Sequence, residues 1–319
     1  MKFIGMMTGL ALAAALAGCG EAPRSDAAAT DQSATAQPAS ADAQAEGRPY
    51  QIDETQVWSV PDPVSGRKYE VYVALPKSYA ASPERTYPVL YVTDAPYAFP
   101  LIRAISRRVG DDEQGLEDFL IVGLSYAEGD GSKYSRNRDY TPVPTTSAQA
   151  AKSGPYGEAE AYRVYIRDQV IPFIEGKFRT DPARRMYMGH SYGALLGAHT
   201  LFTEPAMFSH YILGSPSLWY ANQHMMKVEE AYAARAKDLP ANVFMYMGSY
   251  EAARPGDPRY NQDSDMVADM LTFERRLKSR NYPSFSVASV VLDEENHMSV
   301  FPPGLTRGLQ RFLPPKPKA

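Results

Sequence analysis

Cysteine and an excess of positive charge are what this sequence most clearly lacks. It contains one cysteine in 319 residues, which excludes an intrachain disulfide and any zinc site built on cysteines. Lys and Arg number 33 against 37 Asp and Glu, a formal net charge of −4, so the strongly basic surface of a nucleic-acid-binding protein is excluded. Hydrophobic residues make up 44% of the chain, an ordinary fraction for a globular protein with a full core.

The single cysteine lies at the end of an N-terminal targeting segment. Lys2 precedes a nearly continuous apolar run, Phe3–Ala17, which has the length of a signal-peptide core and is short for a membrane span. The run ends in Leu16-Ala17-Gly18-Cys19, which resembles the lipobox of bacterial lipoproteins. The resemblance implies cleavage before Cys19 and lipidation of its thiol. The alternative is an ordinary signal peptide with an incidental cysteine.

The residue after the cysteine is Gly20, not the aspartate that the lipobox resemblance associates with inner-membrane retention. We therefore expect a cell-envelope protein, anchored through lipid only, at the outer membrane and facing the periplasm. Residues 21–48 are mainly Ala, Ser, Asp, Gln, Thr and Glu and cannot bury enough apolar surface to offset their ordering entropy. The predicted organisation is a signal peptide over 1–18, a lipidated disordered tether over 19–49 and one large domain over 50–319.

Within that domain, short apolar strands alternate with helical patterns. This alternation predicts an α/β fold, with a mostly parallel central sheet covered by helices on both faces. Strands are predicted at 68–75, 89–92, 119–124, 185–188, 211–213, 243–247 and 285–292. Helices are predicted at 97–108, 159–178 with a kink at Pro172, 194–202, 223–236, 264–280 and 303–312. The segment 126–155, rich in Gly, Ser, Pro and Thr, is predicted to be a long functional loop.

A candidate nucleophile lies in Gly189-His190-Ser191-Tyr192-Gly193. This G-x-S-x-G pattern is typical of a nucleophile elbow, in which a serine is held on a sharp turn between a strand and a helix. A strand is predicted before it and a helix of small residues after it, which is the context that the motif requires. The alternative is an ordinary glycine turn.

The base that activates such a serine is predicted to be His297. It follows the last predicted strand, where the order Ser…Asp/Glu…His of this fold places its histidine. His190 lies inside the elbow and is expected to point away from the nucleophile. The remaining histidines, His199, His210 and His224, have no clear role. No two histidines stand at metal-ligand spacing, so no metal and no cofactor are expected.

The third member should be a carboxylate after the strand between the serine and the histidine. Glu251 is the leading candidate because it follows the strand ending near Gly248. Asp257, Asp263 and Asp265 lie a little further on and remain open alternatives. Such an acid orients the imidazole and stabilises its cation without taking the proton.

From about residue 55 to 313 the sequence resembles α/β-hydrolase esterases of the esterase D type, and most closely those that act on enterobactin-type trilactone siderophores. The resemblance rests on the elbow, the segment around His297 and the stretches Tyr87–Asp94, Ile121–Leu124, Arg138–Pro142, Ile171–Ile174, Phe178–Asp181 and Ser215–Trp219. It implies an α/β-hydrolase fold, a serine carboxylic-ester hydrolase and a glutamate at the Glu251 position. Some siderophore esterases work with a Ser-His pair alone. Relatives act on siderophore lactones, feruloyl esters, thioesters and trehalose mycolates.

One departure from that family concerns the oxyanion hole. The family usually reads Asp-Gly after the third strand, whereas this chain reads Asp94-Ala95-Pro96-Tyr97. Pro96 has no N–H to donate. The hole is therefore expected to use the N–H of Tyr192 together with that of Ala95 or Tyr97.

The substrate is expected to be a small-molecule ester of the siderophore lactone type. Trp219, Tyr220, Tyr97 and Phe99 are candidates to line an aromatic pocket. Lys133, Arg136 and Arg138 are candidates to meet an anionic substrate. The alternative is that these aromatics pack in the core and the basic residues face solvent. The alternative functions are a feruloyl, xenobiotic-ester or thioester hydrolase, and a tethered binding protein without turnover. The sequence leaves the oligomeric state open.

Overall fold

Eight strands form one sheet in the computed structural model, which describes residues 47, 49–110 and 115–315. The strands are β1 (Thr55–Ser59), β2 (Tyr69–Ala74), β3 (Tyr87–Val92), β4 (Leu120–Ala127), β5 (Thr180–His190), β6 (His210–Gly214), β7 (Asn242–Gly248) and β8 (Ser286–Leu292). Their order is β1-β2-β4-β3-β5-β6-β7-β8. β1 and β2 are antiparallel to their neighbours, and the strands from β4 to β8 run parallel. The predicted α/β-hydrolase fold with a mostly parallel sheet is confirmed.

The described helices are α1 (Ala95–Gly110), α2 (Ser132–Tyr140), α3 (Ala148–Ala151), α4 (Ala159–Tyr165), α5 (Ile171–Lys177), α6 (Tyr192–Thr203), α7 (Tyr220–Arg235), α8 (Met266–Ser279) and α9 (Phe301–Phe312). They leave a buried core on each side of the sheet. Val89 and Tyr91 of β3 contribute to one core, while Leu90 and Val92 contribute to the other. Burial on both faces explains why this strand is continuously apolar rather than alternating.

Two sequence predictions about local structure need correction. The segment 126–155 is not a long loop, because it contains α2 and α3. The helix predicted over 159–178 is interrupted before Pro172, by a π-helical turn at Ile166–Val170. Pro172 cannot donate a hydrogen bond back to the preceding turn, and a wider turn accommodates that loss.

The predicted membrane-targeting features lie outside the described residues. These are the signal peptide over 1–18, Cys19 with its lipidation, and residues 20–46 and 48 of the tether. In the part of the chain that the structure describes, none of the helices is long and apolar enough to cross a membrane.

Candidate active site

The candidate site is built from turns that follow five neighbouring parallel strands. Asp94 follows β3, Ser191 follows β5, Ser215 follows β6, Glu251 follows β7 and His297 follows β8. The carboxyl ends of parallel strands meet at one edge of a sheet, so these turns lie along the same edge. In the sheet, β4 lies on one side of β3 and β5 on the other. The strand order therefore reverses at β3, and open α/β sheets bind their ligands at such a topological switch point.

Ser191 has the strained geometry of a nucleophile elbow. It lies between the end of β5 and the start of α6 with φ 60° and ψ −119°, a conformation that residues other than glycine rarely adopt. Its N–H donates to the carbonyl oxygen of Gly214 at 2.9 Å. A Cβ on Gly189 would lie 2.3 Å from the backbone of Gly193. The tight turn therefore requires glycine at that position.

Glu251 holds the ring of His297. Its Oε2 accepts a hydrogen bond from Nδ1 of His297 at 2.6 Å. Its Oε1 accepts from the hydroxyl of Ser215 at 2.6 Å and from the N–H of Gly248 at 2.9 Å. Glu251 is 3% exposed, so its carboxylate is hydrogen-bonded by protein groups rather than by solvent. Both oxygens are occupied, and the ring of His297 is held with Nδ1 toward the acid.

The aspartates that the sequence left open as alternatives to Glu251 have other partners. Hydrogen bonds from Arg259 lower the pKa of Asp257 to about 2. Asp265 caps α8 by accepting from the N–H of Ala268 at 2.8 Å. Asp263 is exposed. Among these four carboxylates, Glu251 alone hydrogen-bonds to His297 within the described ranges.

Ser191 and His297 line the same cleft, which has a volume of about 280 Å³. The hydroxyl of Ser191 lies 3.5 Å from that of Ser217, and the part of the chain described here contains no hydrogen bond from it to His297. Catalytic hydrogen bonds are often long in an enzyme without substrate and tighten when substrate binds. Because Glu251 occupies Nδ1, Nε2 is the ring nitrogen left to serve Ser191. Sequence reasoning did not identify Ser217 as a residue of the site. The one available signal was its position in the Ser215–Trp219 stretch.

Two of the residues predicted to form the oxyanion hole lie at helix starts. Ala95 is the first residue of α1 and Tyr192 is the first residue of α6, where an N–H has no partner within its own helix. The expectation that Tyr97 could be the second donor is wrong, because its N–H donates to the carbonyl oxygen of Asp94 at 3.2 Å. Ala95 therefore stays the predicted second donor beside Tyr192.

Comparison with known proteins identifies the family. The family model described as "Putative esterase" matches residues 63–278. The chain belongs to this esterase family.

Named relatives of the esterase are also ester hydrolases. It is 26% identical over 276 residues to the ferri-bacillibactin esterase BesA of Bacillus subtilis, covering 83% of this chain and 92% of that protein. It is 26% identical over 250 residues to the siderophore triacetylfusarinine C esterase of Aspergillus fumigatus, covering 71% and 81%. The crystal structure of the BES protein from Bacillus cereus superposes with a TM-score of 0.72 at 27% identity, covering 84% of this chain and 98% of that one. The protein is a carboxylic ester hydrolase.

Two residues predicted to bind substrate do not line the cleft of the esterase. Arg138 is 4% exposed and bonded to Asp139 and Asp130 at 2.7 Å, so its predicted role in substrate binding is wrong. Phe99 is also misassigned, because it is 5% exposed and packs in the core against Tyr72 and Gly123.

The remaining candidates divide between buried and exposed positions. Arg136 pairs with the buried Asp94 at 2.7 Å, and Lys133 is exposed on α2. Tyr220 is 2% exposed and donates to the carbonyl oxygen of Val143. Trp219 does line the cleft of the esterase and is 40% exposed.

Sequence reasoning missed one wall of the cleft. The segment between β7 and α8 contributes Arg259, Tyr260 and Asn261, which line the cleft together with Tyr250. The guanidinium of Arg254 lies 3.8 Å above the ring of Tyr260. The available signal was the presence of two tyrosines and two arginines, Tyr250, Arg254, Arg259 and Tyr260, within eleven residues that follow β7. Across the described ranges, no group of three His, Cys, Asp or Glu side chains is placed to hold a metal ion.

Proposed function

We propose that the protein hydrolyses ester bonds of siderophores, with Ser191 as nucleophile, His297 as general base and Glu251 as the acid of the triad. The observation that carries this proposal is the 2.6 Å hydrogen bond between Glu251 and Nδ1 of His297, in a cleft that Ser191 also lines. The siderophore substrate class is supported by two relatives that align over most of the chain, the ferri-bacillibactin esterase and the triacetylfusarinine C esterase.

The proposed reaction has two acyl-transfer steps. Nε2 of His297 takes the proton of the Ser191 hydroxyl as its oxygen attacks the ester carbonyl, and the N–H groups of Tyr192 and Ala95 stabilise the oxyanion. His297 then returns the proton to the leaving alcohol. Water, deprotonated by the same ring, hydrolyses the acyl-enzyme and regenerates Ser191. Glu251 stays ionised and stabilises the imidazolium that forms in each step.

A second candidate function is hydrolysis of aromatic acyl esters such as feruloyl esters. It is favoured by the aromatic side chains of Trp219, Tyr250 and Tyr260 in the cleft. A panel of siderophore trilactones, feruloyl esters, thioesters and short p-nitrophenyl esters separates the candidates by kcat/KM. We expect the siderophore trilactones to have the highest kcat/KM. A higher kcat/KM for feruloyl esters or thioesters would contradict the assigned substrate.

A binding protein without turnover is distinguished by covalent labelling. A fluorophosphonate reacts with an activated serine, so we expect it to label Ser191 and to leave Ser191→Ala unlabelled. An unlabelled wild-type protein would indicate that the site has lost turnover.

The proposal places the enzyme in the cell envelope, lipid-anchored through Cys19 at the outer membrane and facing the periplasm. Its support is the apolar run that ends in Leu16-Ala17-Gly18-Cys19. Acyl chains contribute about 0.8 kcal/mol per buried CH₂, so stable anchoring needs more than one chain.

A further inference from the structure

His190 connects the two halves of the candidate site. It is the residue between Gly189 and Ser191 in the elbow, and it is 5% exposed. Its Nε2 lies 2.8 Å from the backbone carbonyl oxygen of His297. Its ring centroid lies 4.8 Å from that of His297 and 5.5 Å from that of Phe301. The side chain preceding the nucleophile therefore contacts the backbone of the base.

The chemistry of this contact defines the state of the ring. Burial, together with the nearby ring of His297, lowers the pKa of His190 to about 3, so the imidazole is neutral at neutral pH. A carbonyl oxygen can only accept, and so Nε2 carries the proton. Nδ1 is buried and has no hydrogen-bond partner in the described part of the chain, which fits an unprotonated nitrogen.

The segment that carries His297 is held to the turn after β7, because the N–H of Tyr250 donates to the carbonyl oxygen of Glu295 at 3.0 Å and the N–H of Glu294 donates to the hydroxyl of Ser249 at 2.9 Å. Neither of these bonds is made to His297 itself. Asp293, Glu294, Asn296, Met298 and Ser299 are all exposed between the end of β8 and the start of α9. Glu251 fixes the ring of His297 through Nδ1 but does not hold its backbone. The bond from His190 is made to the backbone of His297 itself, by the residue adjacent to Ser191.

We infer that His190 is a positioning residue, which sets the distance between Ser191 and the ring of His297 by holding the His297 carbonyl. This inference rests on the proposed roles of Ser191 and His297. Misplacing a reacting group by about 1 Å can lower the rate about 100-fold. Loss of the single hydrogen bond from His190 to the His297 carbonyl is therefore expected to lower kcat.

Substitution of His190 by Gln and by Asn tests the inference, because the two side chains carry the same amide group and differ in length by one methylene. The amide nitrogen of Gln can take the place of Nε2, whereas that of the shorter Asn reaches only to about the position of Nδ1. We expect His190→Asn and His190→Leu to lower kcat about 10- to 100-fold with KM changed by less than about 3-fold. His190→Gln should recover to within about 5-fold of wild type. The rate of fluorophosphonate labelling of Ser191 should follow the same order.

The outcomes are separable from those of the proposed function. The variants are compared at equal folded fraction, measured by circular dichroism, so that unfolding does not count as loss of positioning. If Gln and Asn are equally slow, or if all three variants match wild type, the inference is overturned. If Ser191→Ala keeps full activity, the proposed function fails instead.

A measurement on the wild-type protein does not depend on any variant folding. Nitrogen-15 NMR of the histidine rings should show His190 in the neutral Nε2–H form. The Nδ1–H form would overturn the inference, because Nε2 would then have no proton to donate to the His297 carbonyl.

Discussion

Arg136 donates a hydrogen bond from Nε to the carboxylate of Asp94 at 2.7 Å, linking α2 to the turn after β3. Its Nη2 lies 3.5 Å from the carbonyl oxygen of His190. Asp94 has φ 61° and is fully buried. Ala95 follows Asp94 directly, and Tyr192 follows His190 by two residues. One guanidinium therefore braces both turns that present the proposed oxyanion donors.

Removing this guanidinium should impair both stability and rate. Arg136→Gln leaves the carboxylate of Asp94 buried without its cation, and breaking a buried pair in this way typically costs about 3–5 kcal/mol in unfolding free energy. Loosening of the two turns should lower kcat about 10- to 100-fold. Urea titration and ester hydrolysis measure the two effects. Lys133→Gln is the matched control, because Lys133 is exposed on the same helix. Equal behaviour of the two variants would contradict the bracing role.

The same substitution should change how stability depends on pH. Burial raises the pKa of Asp94 above its ordinary value, and Arg136 opposes that rise. A carboxyl with a raised folded-state pKa binds more protons folded than unfolded, so stability falls as pH increases above its ordinary pKa of about 3.9. Arg136→Gln raises that pKa further, so stability should keep falling to a higher pH and by a larger total amount. Urea midpoints between pH 4 and 8 measure it, and parallel profiles for the two proteins would contradict the argument.

Glu251→Gln should lower kcat by up to about 10⁴-fold if Glu251 acts as the triad acid. Ser215 and Gly248 donate to the Oε1 position, so they hold the amide oxygen of Gln there. The amide N–H₂ then faces Nδ1 of His297 and favours the wrong tautomer. Ester hydrolysis under saturating substrate measures the effect.

Asp257→Asn is the control for that substitution, because Asp257 pairs with Arg259 rather than with His297. It should change kcat little. If Glu251→Gln stays within a few-fold of wild type while Asp257→Asn loses activity, the acid is misassigned. If both remain active, the site is better described as a Ser-His pair.

The elements that were predictable from sequence are those with a continuous local signal. β3 is apolar throughout because both of its faces are buried, and the elbow has glycines wherever the backbone approaches itself. α2 was missed because its buried residues include Ser135, Asn137 and Arg138, which have no apolar periodicity. Its helix is held by polar contacts that sequence does not reveal.

The site was less predictable than the fold, because the choice among candidate site residues depends on contacts between residues that follow different strands. Glu251 and Asp257 both follow β7, and only their three-dimensional partners distinguish them. Arg136 and Arg138 were grouped as cations for a substrate, yet both face buried carboxylates. The catalytic roles of Ser191, His297 and Glu251 stay predictions.

The lipid anchor is tested by fractionation. The wild-type protein should separate with the outer membrane, and Cys19→Ser should not be lipidated and should leave the membrane fraction. Because Cys19 is the only cysteine, palmitate labelling reports on that residue alone as a thiol site. Equal membrane association of the two proteins would mean that lipid is not the anchor.

Arg259 is expected to favour negatively charged substrates, since it lines the same cleft as Ser191 and His297. Its side chain is 62% exposed and forms an ion pair with Asp257, so solvent and the carboxylate screen its charge. An ion pair at about 4 Å in water contributes about 1 kcal/mol, which corresponds to a factor of about 5 in affinity. Arg259→Gln should therefore raise KM about 5-fold for a p-nitrophenyl ester with a free carboxylate, and should leave KM unchanged for its uncharged counterpart.

Salt and a matched control decide whether this effect is electrostatic. The difference in KM between the charged and uncharged esters should shrink as ionic strength rises toward 1 M, where the Debye length falls to about 3 Å. Arg275→Gln makes the same change of charge on the exposed surface of α8, outside the cleft, and should leave both KM values unchanged. If Arg275→Gln raises KM for the charged ester as much as Arg259→Gln does, the effect belongs to net charge rather than to the cleft. If the Arg259→Gln effect is the same at low and high salt, Arg259 acts through the shape of the wall that it forms with Tyr260.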